Sequence, residues 1–302
     1  MPHSHDHSHD HAPANFGKAF AVGIFLNAAF VVIEFGYGYA ANSLALMADA
    51  GHNLGDVLGL LAAWAASIVM LRAPTPNRTY GLKGTTILAA LGNAVLLLVT
   101  TGAIAWEALL RLRSPENVHS GTVMAVAAVG IAINGITAMM FFRGRKDDLN
   151  VRAAFQHMAY DALVAVGVVI GGFVIWKTGI SLIDPILSLL ICAVIIWGTW
   201  SLLRDSVHMA LQGTPQGINQ PEVLEYLQSL PGVTEVHDLH VWSMSTTEIA
   251  LTAHIVVPEP GNHDELLESA TNNLHDRFEI EHVTIQIEQA WKHCPIAGDQ
   301  VV

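Results

Sequence analysis

Six long apolar stretches fill the first two thirds of this chain and limit what it can fold into. They cover residues 16–41, 44–71, 84–110, 119–142, 152–176 and 180–203. A helix needs about 20 apolar residues to cross the hydrocarbon core of a bilayer, and each stretch is long enough. The chain is 52% hydrophobic and 13% charged, whereas soluble domains carry about 25% charged residues. The sequence therefore predicts an α-helical membrane protein with six transmembrane helices.

The character of the sequence changes after residue 204, where charged residues and prolines become frequent and no further span fits. Helical periodicity in 221–230 and 263–278, with β-rich runs in 233–245, 248–257 and 282–288, predicts the element order αββαβ. This order favours a small open sheet with helices on one face. We therefore expect three parts: a His-rich tail over 1–15, a six-helix transmembrane domain over 16–205 and a small α+β domain over 206–302.

Lysine and arginine residues flank the predicted spans unequally. Nine of them fall on one set of flanks and three on the other. Because cytoplasmic loops carry the excess of Lys and Arg, we expect the nine-residue side, both chain termini and the α+β domain to be cytoplasmic. The N-terminus is acidic and His-rich, and the first apolar run is full length, so we expect no cleavable signal peptide.

Net charge and cysteine content narrow the possible partners. A net charge of −12 argues against a nucleic-acid partner. Two cysteines do not make a disulfide framework. Cys192 lies in the middle of a span, where packing is the simplest role. Cys294 is followed by a proline near the C-terminus, and it is equally compatible with a metal ligand and with a free thiol.

Two His-x-x-x-Asp pairs lie inside the apolar spans. His52 and Asp56 belong to the second span, and His157 and Asp161 belong to the fifth. Residues i and i+4 of a helix share a face, with Cβ atoms about 5–6 Å apart, so each pair can direct an imidazole and a carboxylate at one point. Together the pairs offer four ligands, the number that a tetrahedral Zn²⁺ site takes. Ionisable residues at membrane depth are costly and usually functional.

One such pair alone is more often a local hydrogen bond than a metal site. The identical spacing on two spans favours the metal interpretation. Of the 16 histidines in the chain, only His52 and His157 lie deep in apolar spans.

The N-terminal tract "HSHDHSHDH" is of a kind that binds Zn²⁺ or Cu²⁺ weakly. We interpret its histidines as a cytoplasmic collector outside the membrane site: His3, His5, His7, His9 and His11.

These motifs resemble those of the cation diffusion facilitators, in particular the zinc-transporting branch. The matching segments run through most of the chain: "SLALMADAGHNLGDVLGLL", "AFQHMAYDALVAVGVVIGG", "LIDPILSLLICAVII", "LLRDSVHMALQGTP" and "GVTEVHDLHVWSMS". The resemblance implies proton-coupled export of divalent metal from the cytoplasm across a bacterial inner membrane. It also implies a homodimer with a cytoplasmic metallochaperone-like domain, and a transporter rather than an enzyme.

The resemblance carries site roles onto individual residues. It implies a transport site made of His52, Asp56, His157 and Asp161. A histidine at the first position of the span-two pair goes with zinc preference in this branch, while cobalt and cadmium remain open as further substrates. Asp49, one turn before His52, matches a family position, and we expect it to support the site rather than bind the metal.

The resemblance also implies metal ligands in the C-terminal domain. His237, His254 and Glu288 match positions that ligate metal in family members. Without the resemblance, polar faces of surface strands would be the preferred interpretation. Gln286 stands where some relatives have histidine, so we expect one ion per subunit. Asp238 and His240 are lesser candidates.

Three mechanisms remain compatible with the sequence. In an antiporter, protons and Zn²⁺ compete for the same ligand atoms, because ligands must be deprotonated to bind metal. A membrane-embedded zinc hydrolase would need an open coordination position and a general base, and no His-Glu-x-x-His motif is present. A passive channel would need weak binding at several sites. We favour the antiporter, because the predicted site is single and has four ligands.

Overall fold

The computed structural model describes residues 17–142, 149–259, 261 and 263–289. The elements are α1 (Gly17–Ala40), α2 (Leu44–Met70), α3 (Thr85–Arg113), α4 (Ser120–Phe141), α5 (Leu149–Thr178), α6 (Ile183–Ala210), α7 (Gln220–Gln228), β1 (Glu235–Ser243), β2 (Ile249–Val256), α8 (Asp264–Phe278) and β3 (His282–Glu288). Within the described residues, α2 to α6 are long and apolar enough to cross a membrane, and α1 contributes the shorter apolar stretch Ala28–Ala40. A multi-pass helical domain followed by a domain with a small sheet is thereby confirmed, whereas the sixth span stays a prediction.

The last membrane helix is longer than its apolar run. The sixth predicted span ends at 203, but α6 continues to Ala210. The added turns are polar, and Arg204 pairs there with Asp205 at 3.2 Å. A helix does not have to end where apolar residues end, because polar side chains in a continuing turn can face water.

The chain divides into two compact units. One consists of the residues up to Leu58 together with Leu96–Trp197, and the other of Gly59–Val95 together with the residues from Gly198 onwards. In the first unit, α1 contacts α4, and α4 packs along α5. Small residues allow these close contacts: a Cβ on Gly130 would stand 2.9 Å from the Phe30 ring, and a Cβ on Gly172 would stand 2.8 Å from Met124.

A serine before α2 and an aspartate of α6 fix the start of α2. The Ser43 hydroxyl accepts a hydrogen bond from the Leu46 amide at 3.2 Å, as an N-cap does. Asp184, near the start of α6, accepts from the Ser43 hydroxyl at 2.5 Å and from the Leu44 amide at 2.7 Å. Two of the groups at the helix terminus are therefore satisfied by a buried carboxylate. This arrangement fixes where α2 begins.

A three-stranded sheet forms the core of the C-terminal domain. Its strand order is β1-β2-β3, with β1 antiparallel to β2 and β2 parallel to β3. One face of the sheet packs on α7 and α8 around Leu227, Leu251, Ile255, Leu274 and Ile280, all fully buried. Alternation along β2 places His254 on the opposite face from Leu251 and Ile255.

The second unit also includes the connection between α2 and α3. Lys83 forms an ion pair with Glu248, in the turn between β1 and β2. The Thr246 amide donates to the Thr86 hydroxyl at 3.1 Å. The ring of Tyr80 meets that of His282, the first residue of β3, edge to face at 5.4 Å. The connection therefore contacts the ends of strands that carry the metal-ligating candidates of the C-terminal domain.

Candidate metal centres

Two helices supply the membrane site. In α2, His52 and Asp56 lie one turn apart on one face, and in α5, His157 and Asp161 do the same. The structure brings both pairs together, because the Nε2 atom of His157 lies 3.4 Å from the Oδ2 atom of Asp56 on the other helix. All four residues belong to the first unit.

Three nitrogen–oxygen separations between these side chains are longer than hydrogen bonds, although these four described residues do not form a group whose ligand atoms all lie within 4.8 Å of one another. His52 Nε2 lies 3.5 Å from Asp56 Oδ2, and His157 Nε2 lies 3.5 Å from Asp161 Oδ2. An N–H···O hydrogen bond spans about 2.7–3.2 Å. Two atoms bound tetrahedrally to one zinc ion, each at about 2.0–2.1 Å, stand about 3.3–3.4 Å apart.

Several side-chain atoms that could bind a metal ion at this site make no hydrogen bond. The Oδ2 atoms of Asp56 and Asp161 and the Nδ1 atom of His52 are buried without a hydrogen-bond partner. Across the part of the chain that the structure describes, the ion pairs of these two aspartates are made with histidines only. Buried polar atoms are normally satisfied. Carboxylate oxygens that lack a hydrogen-bond partner and lie near the same histidine are therefore suited to bind a cation.

Further carboxylates surround this site. Asp49 is 3% exposed and lies within electrostatic reach of Asp161. Glu34, from α1, is fully buried beside Asp49 and Asn53, and neither of its carboxylate oxygens makes a hydrogen bond of normal geometry. Glu34 is not among the residues that the sequence predicts for the site. Its signal was a lone carboxylate within the first apolar span, where an ionisable residue indicates function.

A second cluster lies on the sheet of the C-terminal domain. His237 and His254 are paired across β1 and β2, and Glu288 lies on β3 two residues beyond Gln286, the partner of His254. One ligand atom of each of these three residues lies within 4.8 Å of the other two. His237 Nε2 stands 3.6 Å from Glu288 Oε2, and His254 Nδ1 stands 3.2 Å from Glu288 Oε1.

The donor set of this cluster suits a zinc ion. His254 Nδ1 is buried without a hydrogen-bond partner although a Glu288 oxygen lies 3.2 Å away. A nitrogen and an oxygen that are close but misaligned for a hydrogen bond can both face one ion. Two imidazoles and a carboxylate are common protein ligands of Zn²⁺. The amide of Gln286 donates to Glu288 at 3.0 Å, and so it orients that carboxylate.

Other predicted site residues lie outside the described part of the chain. These are the five N-terminal histidines, His3, His5, His7, His9 and His11, and also Cys294. Cys192, predicted to serve packing, is 1% exposed and belongs to the apolar core of the first unit.

Comparison with known proteins assigns the chain to a family. Residues 20–209 match the model of the cation efflux transmembrane domain, and residues 215–290 match the cation efflux protein, cytoplasmic domain. The zinc transporter ZitB of Escherichia coli is 38% identical over 98% of this chain and 95% of its own length. The metal cation efflux system protein CzcD of Cupriavidus metallidurans is 36% identical over 95% of this chain and 90% of its own length.

A further relative is named as an antiporter, and one solved structure is of a metal-bound domain. The cadmium, cobalt and zinc/H(+)-K(+) antiporter of Bacillus velezensis is 30% identical over 96% of this chain and 93% of its own length. The solved metal-bound C-terminal domain of the CzcD transporter is 38% identical, covering 24% of this chain and 99% of that one, with a TM-score of 0.23. The chain belongs to the cation efflux family, the cation diffusion facilitators, in the branch of zinc and metal efflux transporters.

Proposed function

We propose that this chain is a proton-coupled antiporter that exports zinc from the cytoplasm, with cobalt and cadmium as further substrates. The observation that supports the proposal is the approach of two helical His-Asp pairs, with His157 Nε2 3.4 Å from Asp56 Oδ2 on the other helix. The names of the relatives support the substrate and the coupling, since they include zinc transporters and an antiporter of cadmium, cobalt and zinc.

Charge balance explains how the site couples zinc to protons. With Zn²⁺ bound, two neutral imidazoles and the carboxylates of Asp56 and Asp161 give a formal charge of zero. Release of the ion leaves two carboxylates in a medium of low dielectric constant, which is unfavourable. Protons that replace the ion restore neutrality and occupy the same lone pairs. If the site opens to one side at a time, this exchange drives zinc outward while protons move inward.

Asp49 and Glu34 support the transport site without binding the ion. They lie next to each other and close to Asp161, where they tune the surroundings of that carboxylate. The two pairs already provide the four ligands of a tetrahedral zinc site. Asp49 and Glu34 therefore act on the ion indirectly, through Asp161.

The complete transporter has six spans, with both termini in the cytoplasm of a bacterial cell. Two copies form a homodimer through the C-terminal domain, whose family model is named for its dimer. His237, His254 and Glu288 hold one Zn²⁺ ion in each copy. The N-terminal histidines collect zinc without forming part of the path.

Zinc flux in proteoliposomes tests the assignment of the four ligands. Asp161→Asn and His52→Ala should each lower zinc flux by about tenfold or more, because the first removes the negative charge of one ligand and the second removes an imidazole. Asp276→Asn, an exposed aspartate of α8, is the matched control and should keep wild-type flux. Circular dichroism should show folded protein in every case. Wild-type flux from either site variant would refute the assignment.

A further inference from the structure

β1 contains an irregularity at the metal-ligating candidates of the C-terminal domain. The pairing with β2 shifts between His237 and His240. Asp238 lies inside this shift with a φ of 53°, in the left-handed region. Asp and Asn enter this region more readily than most other residues. The sequence signal is a pair of polar residues, His237 and Asp238, where strict alternation would place only one.

The bulge puts two neighbouring side chains on one face of the sheet. Val236 and Leu239 are 9% and 3% exposed and belong to the core. Two residues, not one, separate them, so both His237 and Asp238 are left on the face away from α7 and α8. A β-bulge redirects a side chain in this way. The Asp238 side chain thereby reaches the same surface as His254.

His254 stands between two carboxylates. Its Nδ1 atom lies 3.2 Å from Glu288, and its Nε2 atom lies 3.6 Å from Asp238 Oδ2. The two nitrogens of one ring point in different directions, so a single ion can take only one of them. When Nδ1 binds the ion, the proton of the neutral ring is on Nε2. That N–H then faces the Asp238 carboxylate, and the 3.6 Å separation can shorten to a hydrogen bond.

The Asp238 carboxylate is held from its other side. Its Oδ1 atom accepts a hydrogen bond from His240 Nε2 at 3.0 Å. His240 is 59% exposed and Asp238 is 31% exposed, so this bond lies at the rim of the cluster. One oxygen is occupied and the other remains available for His254.

We infer that Asp238 is a positioning residue of the C-terminal zinc site, which orients His254 so that Nδ1 faces the ion. The β-bulge brings the Asp238 side chain within reach of His254. The inference rests on the proposed site of His237, His254 and Glu288. Histidines that bind metals usually donate their second N–H to a carboxylate, and loss of that partner typically weakens metal binding by about 10–100-fold.

The test measures metal binding by the full-length protein in detergent. The background variant lacks residues 3–11 and carries His52→Ala and His157→Ala, so that only the C-terminal cluster contributes. Zinc affinity is measured by competition with a chromophoric chelator, and the ligand set by the visible absorption of bound Co²⁺. Asp238→Asn is the test variant, since asparagine also tolerates a positive φ. Asp276→Asn, on the exposed face of α8, is the matched control.

We expect Asp238→Asn to weaken zinc binding by about 10–100-fold, with the Co²⁺ absorption bands unchanged and the control at the affinity of the background variant. Unchanged affinity in Asp238→Asn would overturn the inference. Shifted Co²⁺ bands in Asp238→Asn would overturn it as well, because they would make Asp238 a ligand.

His254→Ala separates failure of the inference from failure of the site. It should abolish binding in the same background. Undiminished binding in His254→Ala would refute the C-terminal site itself and the inference with it. Loss of binding in His254→Ala, together with unchanged binding in Asp238→Asn, would refute only the role of Asp238.

Discussion

Imidazoles and carboxylates make different contributions to the proposed transport site. Asp161 is 5% exposed, whereas His157 is 41% exposed, so the carboxylate is the more deeply enclosed partner of this pair. The carboxylates balance the charge of the ion. The imidazoles supply nitrogen donors, which Zn²⁺ prefers more strongly than the hard cations do. Imidazole is also the side chain that ordinarily exchanges a proton near neutral pH.

Replacing His157 by aspartate tests this division. His157→Asp retains a ligand but exchanges nitrogen for oxygen, so discrimination of zinc against cadmium should fall several-fold. The dependence of zinc flux on cytoplasmic pH should also change, because a carboxylate takes up protons in a different pH range from an imidazole. Competition of Cd²⁺ with zinc flux across a pH series measures both effects. His275→Asp, exposed in α8, is the control. Unaltered selectivity and an unaltered pH profile would show that His157 is not a ligand.

Residue spacing predicted only part of the site. Helical periodicity places His52 over Asp56 and His157 over Asp161, because i and i+4 share a face. The contact between Asp56 and His157 depends on how α2 and α5, which are far apart in the sequence, pack against each other. The spacing of residues within one helix does not predict this packing. The position of Asp238 depends on a bulge, which alternation alone does not predict. Glu34 was overlooked because it has no partner within its own helix.

The start of α2 depends on a carboxylate from a different helix. Ser43 and Asp184 together satisfy amides at this terminus. Because His52 and Asp56 lie on the same helix, the cap helps to position half of the proposed transport site. The sequence indicated the span, but it did not indicate that a residue of α6 holds its first turn.

Loss of this cap should destabilise the protein. Asp184→Ala leaves the Leu44 amide and the Ser43 hydroxyl without their acceptor, and a buried unsatisfied group costs about 1–3 kcal/mol. The midpoint of thermal unfolding in detergent should therefore fall. Ser67→Ala is the matched control on α2, since Ser67 donates to the Trp64 carbonyl within its own helix. Equal midpoints for the two variants would contradict the proposed importance of the cap.

Apolar length and alternation predicted the elements better than their ends. The five long apolar helices and the small sheet of the C-terminal domain occur where the patterns placed them, because burial in lipid or in a core imposes a period on the sequence. The end of α6 was missed by several residues, since no such constraint acts on turns that face water. Partner strands could not be read from local patterns, because pairing joins distant segments.

At the scale of the molecule, the second unit contains both the connection between α2 and α3 and the C-terminal domain. The Lys83–Glu248 ion pair, the Thr86–Thr246 hydrogen bond and the contact of Tyr80 with His282 all lie in this unit. The side chains of Lys83 and Glu248 are 33% and 26% exposed. A partly exposed pair of this kind contributes up to about 1 kcal/mol.

A charge exchange tests the ion pair. Lys83→Glu places two carboxylates together and should lower the midpoint of thermal unfolding. The double variant Lys83→Glu with Glu248→Lys should recover most of the loss, since opposite charges face each other again. Lys177→Glu, near the end of α5, controls for the change in net charge. A double variant no more stable than Lys83→Glu alone would show that the two side chains do not interact in the folded protein.

The central claim is that this transporter exchanges zinc for protons. The most direct measurement is zinc uptake into inside-out membrane vesicles, whose lumen corresponds to the outside of the cell. We predict that uptake rises when the lumen is made acidic, collapses when a protonophore is added, and is absent in Asp161→Asn vesicles under both conditions. Zinc uptake that ignores the pH gradient in the wild type would contradict antiport and favour a channel.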